Sequence, residues 1–194
     1  MNAQPYEYVS LQQYFDLEET SDLKHEYYRG AIYAMTGATA RHNLIIANII
    51  GLLHSQLRRS ACRVFPSDLR LKIEQTGLYT YPDISVICGT IQFDAGRQDA
   101  VTNPIVLVEV LSARTENYDR GKKFEHYRTL ETLQEYIVVA QDRAHIEQYI
   151  RQDEHRWLLV DFFTPDQVVR VDTIKCKLPL ADVYEYITFE NEDQ

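Results

Sequence analysis

Two acidic residues stand in strand-like runs where a carboxylate is costly. Asp83 lies in Tyr81-Pro82-Asp83-Ile84-Ser85-Val86-Ile87, and Glu109 in Ile105-Val106-Leu107-Val108-Glu109-Val110-Leu111-Ser112. A buried carboxylate without a partner costs several kcal/mol, so something must compensate it. A divalent cation is the natural candidate. Side chains alternate across a strand. Asp83 therefore shares a face with Ser85 and Ile87, and Glu109 shares one with Leu107 and Leu111. If the two strands are neighbours, both acids converge at one end of the sheet. Oxygen ligands of this kind suit Mg²⁺ or Mn²⁺. The chemistry this suggests is metal-assisted hydrolysis of a phosphodiester. Each acid also has a plain reading: Asp83 follows a proline, as strand-entry residues do, and a solvated sheet edge accommodates Glu109.

A third piece follows Glu109. Asp119, Lys123 and Tyr127 are spaced i, i+4 and i+8, on one face of a helix. From there an ammonium reaches back to the strand ends, to hold a phosphate oxygen or an attacking water. The same spacing also describes a solvated Asp–Lys pair, and Tyr127 suits packing of the helix onto the sheet. Glu26, in Lys24-His25-Glu26-Tyr27-Tyr28, either joins this site or pairs with Lys24 or Arg29 on a hairpin. His42 stands at a helix start, as a cap or a surface residue.

The elements that must position these groups are readable in outline. Residues 9–19 form an amphipathic helix capped by Ser10. Lys24–Tyr28 and Ala31–Thr36 read as two strands turned at Arg29-Gly30. The strongest helix starts at Thr39 or Ala40 and runs to Arg59, with Ile45, Ile49, Leu52 and Leu53 at helical spacing. Gly51 inside it implies close packing against a sheet. Strands follow at Cys62–Phe65 running into Leu69–Ile73, then Pro82–Cys88 and Pro104–Leu111. Phe93–Asn103 reads as a long loop. A second helix spans Asn117 or Tyr118 to Leu130. Strands return at Tyr136–Ala140, His145–Arg151, Arg156–Phe163 and Val168–Val171, and Leu178–Tyr184 forms a last helical element. The order predicts one α/β (α+β) domain over residues 1–194, with its core at about 9–186 and an acidic tail at 191–194.

Composition narrows the function classes. The 194 residues are 45% hydrophobic and 25% charged, as in an ordinary globular domain. No apolar run is long enough to span a bilayer, and no signal segment opens the chain, so the expected location is the cytoplasm, with no membrane partner. GxGxxG, P-loop and GxSxG patterns are missing, so nucleotide-binding and α/β-hydrolase chemistry have no local support. Cys62, Cys88 and Cys176 show no CxxC spacing and read as three free, buried thiols. The net charge of −9 opposes unspecific adhesion to nucleic acid. DNA contact therefore needs a local basic patch, for which Arg58, Arg59, Arg63, Arg70 and Lys72 are available. The 14 tyrosines, enriched as Tyr is at interfaces, favour a homodimer.

Several runs together resemble a known family. They are Lys24-His25-Glu26-Tyr27-Tyr28-Arg29-Gly30-Ala31-Ile32-Tyr33-Ala34-Met35, Arg41-His42-Asn43, Ser67-Asp68-Leu69-Arg70, Tyr81-Pro82-Asp83-Ile84-Ser85-Val86 and Gln134-Glu135-Tyr136-Ile137-Val138-Val139. The most specific is Val108-Glu109-Val110-Leu111-Ser112 with Thr115, Asp119-Arg120, Lys123 and Tyr127-Arg128. The chain resembles the Uma-type endonuclease family of the PD-(D/E)XK, restriction-endonuclease-like superfamily, from about Val9 to Tyr186. The resemblance implies a restriction-endonuclease-like core, a central mixed β-sheet flanked by helices, with acids at strand ends binding Mg²⁺ or Mn²⁺. It implies that Asp83 and Glu109 are the metal-binding acids of the motif and that Glu26 is a further catalytic acid, which completes the metal site as a ligand or positions a metal-bound water. One departure matters: the motif lysine position holds Leu111. The resemblance implies that the lysine has moved to the following helix, as Lys123, with Lys122 as the alternative. The expected activity is hydrolysis of DNA phosphodiester bonds by a metal-dependent endonuclease. A nuclease-fold protein without turnover, serving as a nucleic-acid-binding or assembly module, is the competing expectation.

Overall fold

Ser10 starts the first helix by a reciprocal pair of bonds. Its hydroxyl accepts from the Gln13 amide, and the Gln13 side chain accepts from the Ser10 amide, which satisfies two otherwise orphaned donors. In the computed structural model, which describes residues 8–35 and 37–189, this cap opens α1 (Leu11–Thr20). The hairpin β1 (His25–Tyr28) and β2 (Ala31–Ala34) follows. Its two turn residues, Arg29 (φ 49°) and Gly30 (φ 86°), are both left-handed, the conformation a two-residue hairpin turn requires. Thr36, the expected end of this strand, lies outside the described residues.

Helix α2 (Ala40–Leu57) is capped by Thr39 and buries His42, Ile45, Ile49, Leu53 and Leu57, a stripe at helical period. Gly51 is exposed, and a Cβ there would meet open space; the expected close packing against a sheet is not found, and nothing in the structure explains the glycine. Next come β3 (Cys62–Pro66), β4 (Arg70–Ile73), β5 (Leu78–Thr80), β6 (Ile84–Cys88), β7 (Ala100–Val101) and β8 (Val106–Leu111). The helical run after β8 has three parts: α3 (Glu116–Tyr118), a π turn (Asp119–Lys123) and α4 (Phe124–Tyr127). Strands β9 (Glu135–Ala140), β10 (Ile146–Arg151), β11 (Trp157–Phe162), β12 (Val168–Val171) and β13 (Cys176–Pro179) and the short α5 (Leu180–Val183) complete the chain.

The central sheet has six strands in the order β11-β10-β9-β8-β6-β3. It is mixed: β8 and β9 run parallel, and the other neighbours are antiparallel. A second sheet has the order β2-β1-β5-β4-β7, and β12-β13 form a two-stranded ribbon. Alternation along β8 divides the core between two faces. Val106, Val108 and Val110 pack with Ile45, Ile49 and Leu53 of α2 and with Val169, Val171 and Leu178 of the ribbon. Leu107 and Leu111 pack with Tyr127, Tyr136 and residues Leu71, Ile73 and Leu78 of the second sheet. Glu109 is on this second face, as its spacing required.

Cys62 and Cys88 are opposite each other in the antiparallel pair β3–β6 and form a disulfide. The expectation of three free thiols is thus corrected; only Cys176 remains a buried free thiol among the described residues. Two distant cysteines become bonding partners through strand register, which residue spacing alone does not reveal. No described helix is long and apolar enough to cross a membrane.

Candidate metal and phosphodiester site

The β6–β8 register brings the two acids together. Ile84 pairs with Val108 and Ser85 with Leu107. Continued by one residue, the register sets Asp83 opposite Glu109, and residues directly opposite share a face with Cβ atoms about 5 Å apart. A hydrogen bond locks the arrangement: the amide of Val110 donates to Asp83 Oδ2 at 2.8 Å. On the far side of Asp83, His42 Nε2 of α2 lies 3.3 Å from the same Oδ2.

Lys123 completes the cluster from the helical run. Its Nζ lies 2.8 Å from Glu109 Oε1, 3.5 Å from Asp119 Oδ1 and 3.6 Å from Glu26 Oε1. Asp119 and Lys123, four residues apart in the π turn, both face inward and are buried, while Arg120 between them reaches Glu147 instead. Single π turns inside helices are often found at functional sites. Lys122 is exposed, so of the two candidates Lys123 is the one that reaches the acids. Leu111 is buried in the apolar cluster below.

Glu26 reaches the cluster from the second sheet. Its Oε1 accepts from the Thr80 hydroxyl and its Oε2 from the Tyr118 hydroxyl, the latter at 2.9 Å. Both of its oxygens are thereby occupied, and Glu26 serves as a fixed counter-charge for Lys123. Tyr127 does more than pack the helix: its hydroxyl donates to Glu109 Oε1 at 2.6 Å. Lys123 and Tyr127 thus take one oxygen of Glu109. Glu109 Oε2 and Asp83 Oδ1 take no hydrogen bond among the described residues.

Three carboxylates, Glu26, Glu109 and Asp119, surround one lysine, with Asp83 opposite Glu109, and the electrostatics register the imbalance. Burial, reinforced by repulsion from Asp83 and Asp119, outweighs Lys123 and pushes the Glu109 carboxyl up to about 8. Burial likewise raises Asp119 against the pull of Lys123. Burial opposes the charge on Lys123, yet Glu109, Glu26 and Asp119 hold its pKa well above the ordinary lysine value. Burial also opposes the charged form of His42, but Asp83 more than offsets this and raises it. An excess of buried negative charge with two uncommitted carboxylate oxygens fits a hard divalent cation. The acids do not form a ready-made cage, because the Lys123 ammonium stands among them. Two carboxylate oxygens with water filling the remaining positions is an arrangement that suits Mg²⁺.

A tighter group of ligand-type side chains lies elsewhere. Atoms of His145, Glu147 and Asp161 all fall within 4.8 Å of one another. They are already engaged: His145 Nε2 meets Asp161 Oδ1 at 2.8 Å, and Glu147 binds Arg120 at 2.8 Å and Tyr149 at 3.0 Å.

Of the expected site residues, Glu26, Glu109 and Lys123 are in mutual reach and Asp83 opposes Glu109. Asp119 and His42 are the members that sequence reasoning undervalued. Asp119 had a signal, the spacing it shares with Lys123 and Tyr127; His42 had its place at a helix start and in the Arg41-His42-Asn43 run of the family resemblance. The expected basic strip does not hold together. Arg70 is buried and bonds Tyr81 and Asp99, and Lys72 bonds Asp94. Arg58, Arg59 and Arg63 do share a groove with His54, lined by no acid.

Comparison with known proteins shows the family. The model of the Uma2 family, described as a putative restriction endonuclease, matches residues 11–181. Two proteins of Synechocystis (strain PCC 6803) are similar over most of their length. Protein slr1290 is 36% identical over 185 residues, covering 95% of this chain and 96% of its own. Protein sll1609 is 34% identical over 167 residues, covering 86% and 94%. A crystal structure described as a putative nuclease of the DUF820 group, from Anabaena variabilis, superposes with a TM-score of 0.75 at 20% identity, covering 93% of this chain and 99% of that one. At that identity the likeness establishes the fold, which is nuclease-like.

Proposed function

The chain belongs to the Uma2 family of restriction-endonuclease-like proteins, and from that premise we propose that it is a metal-dependent endonuclease hydrolysing DNA phosphodiester bonds. The single observation that carries this reading is the 2.8 Å contact of Lys123 with Glu109, on the strand where β6–β8 register sets Asp83 opposite. Asp83, Glu109 and Lys123 stand in this reading for the acids and the lysine of a PD-(D/E)XK site, the lysine being supplied from a different element.

In this reading Asp83 Oδ1 and Glu109 Oε2 hold Mg²⁺ or Mn²⁺. Such an ion, when bound, supplies a water of lowered pKa and neutralises charge on the reacting phosphate. Lys123 fixes Glu109 through Oε1 and adds positive charge where negative charge grows during the reaction. Glu26 and Asp119 keep Lys123 protonated and aimed. Tyr127 holds Glu109 so that its other oxygen stays free. Arg58, Arg59 and Arg63, a basic group with no ion-pair partner among the described residues, are proposed as contacts to the DNA backbone, a role that makes binding weaken as salt rises.

The test is nicking of supercoiled plasmid with Mg²⁺ or Mn²⁺. Wild-type protein is expected to nick, and Glu109→Gln and Lys123→Met to abolish nicking while keeping a folded far-ultraviolet spectrum. Activity that survives Glu109→Gln would assign cleavage to a contaminant or to another site. Folded wild-type protein that binds DNA without any cleavage would support the binding-module reading.

A further inference from the structure

His42 is buried at 8% exposure, and one of its ring nitrogens is unexplained by packing. It heads the stripe continued by Ile45, Ile49, Leu53 and Leu57 on the buried face of α2. Its backbone is pinned, because Thr39 Oγ accepts from the His42 amide at 3.1 Å. The ring is thereby delivered to the end of the sheet, where Nε2 stands 3.3 Å from Asp83 Oδ2. Nδ1 is buried and makes no hydrogen bond of good geometry among the described residues; the Val110 carbonyl lies beside the ring. A leucine would extend the apolar stripe without leaving a polar atom unsatisfied. A buried imidazole held against an acid with a free oxygen calls for a role beyond packing.

We propose that His42 is a positioning residue of the cation site: Nε2 and the Val110 amide together clamp Asp83 Oδ2, so that Oδ1 is presented to the divalent ion. This inference rests on the reading of Asp83 and Glu109 as cation ligands. Residues that orient a metal ligand without touching the metal commonly account for 10–100-fold in affinity.

Three substitutions test the role of Nε2. His42→Gln places an amide nitrogen near the position of Nε2, His42→Asn near that of Nδ1, and His42→Leu removes both. Mn²⁺ affinity is measured by isothermal titration calorimetry on the full chain, with thermal denaturation in EDTA as the control for folding. His42→Leu and His42→Asn are expected to weaken Mn²⁺ binding at least about 10-fold, and His42→Gln to stay within about 3-fold of wild type. Asp83→Ala is expected to abolish binding. If all His42 variants bind like wild type while Asp83→Ala does not, the role given to His42 is wrong and the cation site stands. If His42→Gln is as weak as His42→Leu, the clamp through Nε2 is wrong. If Asp83→Ala itself binds normally, the underlying site assignment fails. Should His42→Leu not fold, the contrast of Gln with Asn decides.

Discussion

Lys123 Nζ lies 2.8 Å from Glu109 Oε1, although the two residues belong to different elements. Two positions after Glu109 on β8 stands Leu111, buried in the apolar layer. The lysine therefore enters from the π turn and reaches the acid by way of the helical run. Because three carboxylates hold its ammonium, its loss should be severe. Lys123→Met is expected to lower nicking by at least about 100-fold, the effect of removing one charge-stabilising donor. Lys122→Met, on the exposed side, should stay within about 3-fold, as surface changes away from a site do. Equal losses in single-turnover nicking assays would remove the distinction drawn between the two lysines.

Glu26 has both oxygens committed, to Thr80 and Tyr118. Glu26→Gln should therefore leave Mn²⁺ affinity within about 3-fold of wild type, since no direct ligand is lost, yet lower nicking because Lys123 loses a counter-charge. Calorimetry and nicking on the same preparation separate the two effects. A collapse of Mn²⁺ affinity would make Glu26 a direct ligand.

The Tyr127 hydroxyl donates to Glu109 in a fully buried setting. Tyr127→Phe leaves a buried acceptor short of one donor, at a cost of about 1–3 kcal/mol. Denaturant unfolding in the absence of metal should show that loss. A stability unchanged within about 0.3 kcal/mol would mean that water replaces the hydroxyl, and that Tyr127 does not orient Glu109.

The raised Glu109 carboxyl has a pH signature in the metal-free protein. Its folded pKa of about 8 lies above the ordinary value of 4.5. Between these values the folded chain binds more protons than the unfolded one, so its stability contribution is present at acid pH and is lost as pH rises toward 8. In EDTA, wild-type Tm should therefore fall relative to Glu109→Gln as pH is raised from 5 to 8. Parallel Tm profiles for the two proteins would show that Glu109 ionises normally.

The disulfide Cys62–Cys88 closes a loop of sequence separation 26. Constraint of the unfolded chain by a loop of this size is worth about 3 kcal/mol. Cys62→Ser with Cys88→Ser should lower stability by about that amount, and a reducing agent should do the same to wild type but leave the double variant unchanged. Insensitivity of wild-type unfolding to reductant would show that the bond makes no such contribution.

Much of this architecture is legible in local pattern, because the relevant physics is local. The Ser10 cap, the Arg29-Gly30 turn and the stripe from Ile45 to Leu53 each rest on neighbouring residues, and all three stand in the structure. Strands β5 and β7 have three and two residues, too brief for alternation to mark them, and β13 runs directly into α5, so that Leu178 and Pro179 read as part of the helical element. Asp83 and Glu109 were visible because an acid next to valine and isoleucine is conspicuous. Asp119 was not, since a helical Asp four residues from a Lys is ordinarily solvated; burial and the π turn change its meaning, and neither is visible in residue spacing. His42 and the Cys62–Cys88 bond depend on long-range register. The likeness of whole motifs to a family, more than periodicity, pointed to Lys123.

The most direct measurement is an anomalous-scattering map from crystals loaded with Mn²⁺. A peak at direct ligand distance, about 2 Å, from both Asp83 and Glu109 is the predicted result. A map whose only peak lies at His145, Glu147 and Asp161, or one with no peak beside Asp83 at full Mn²⁺ occupancy elsewhere, would contradict it.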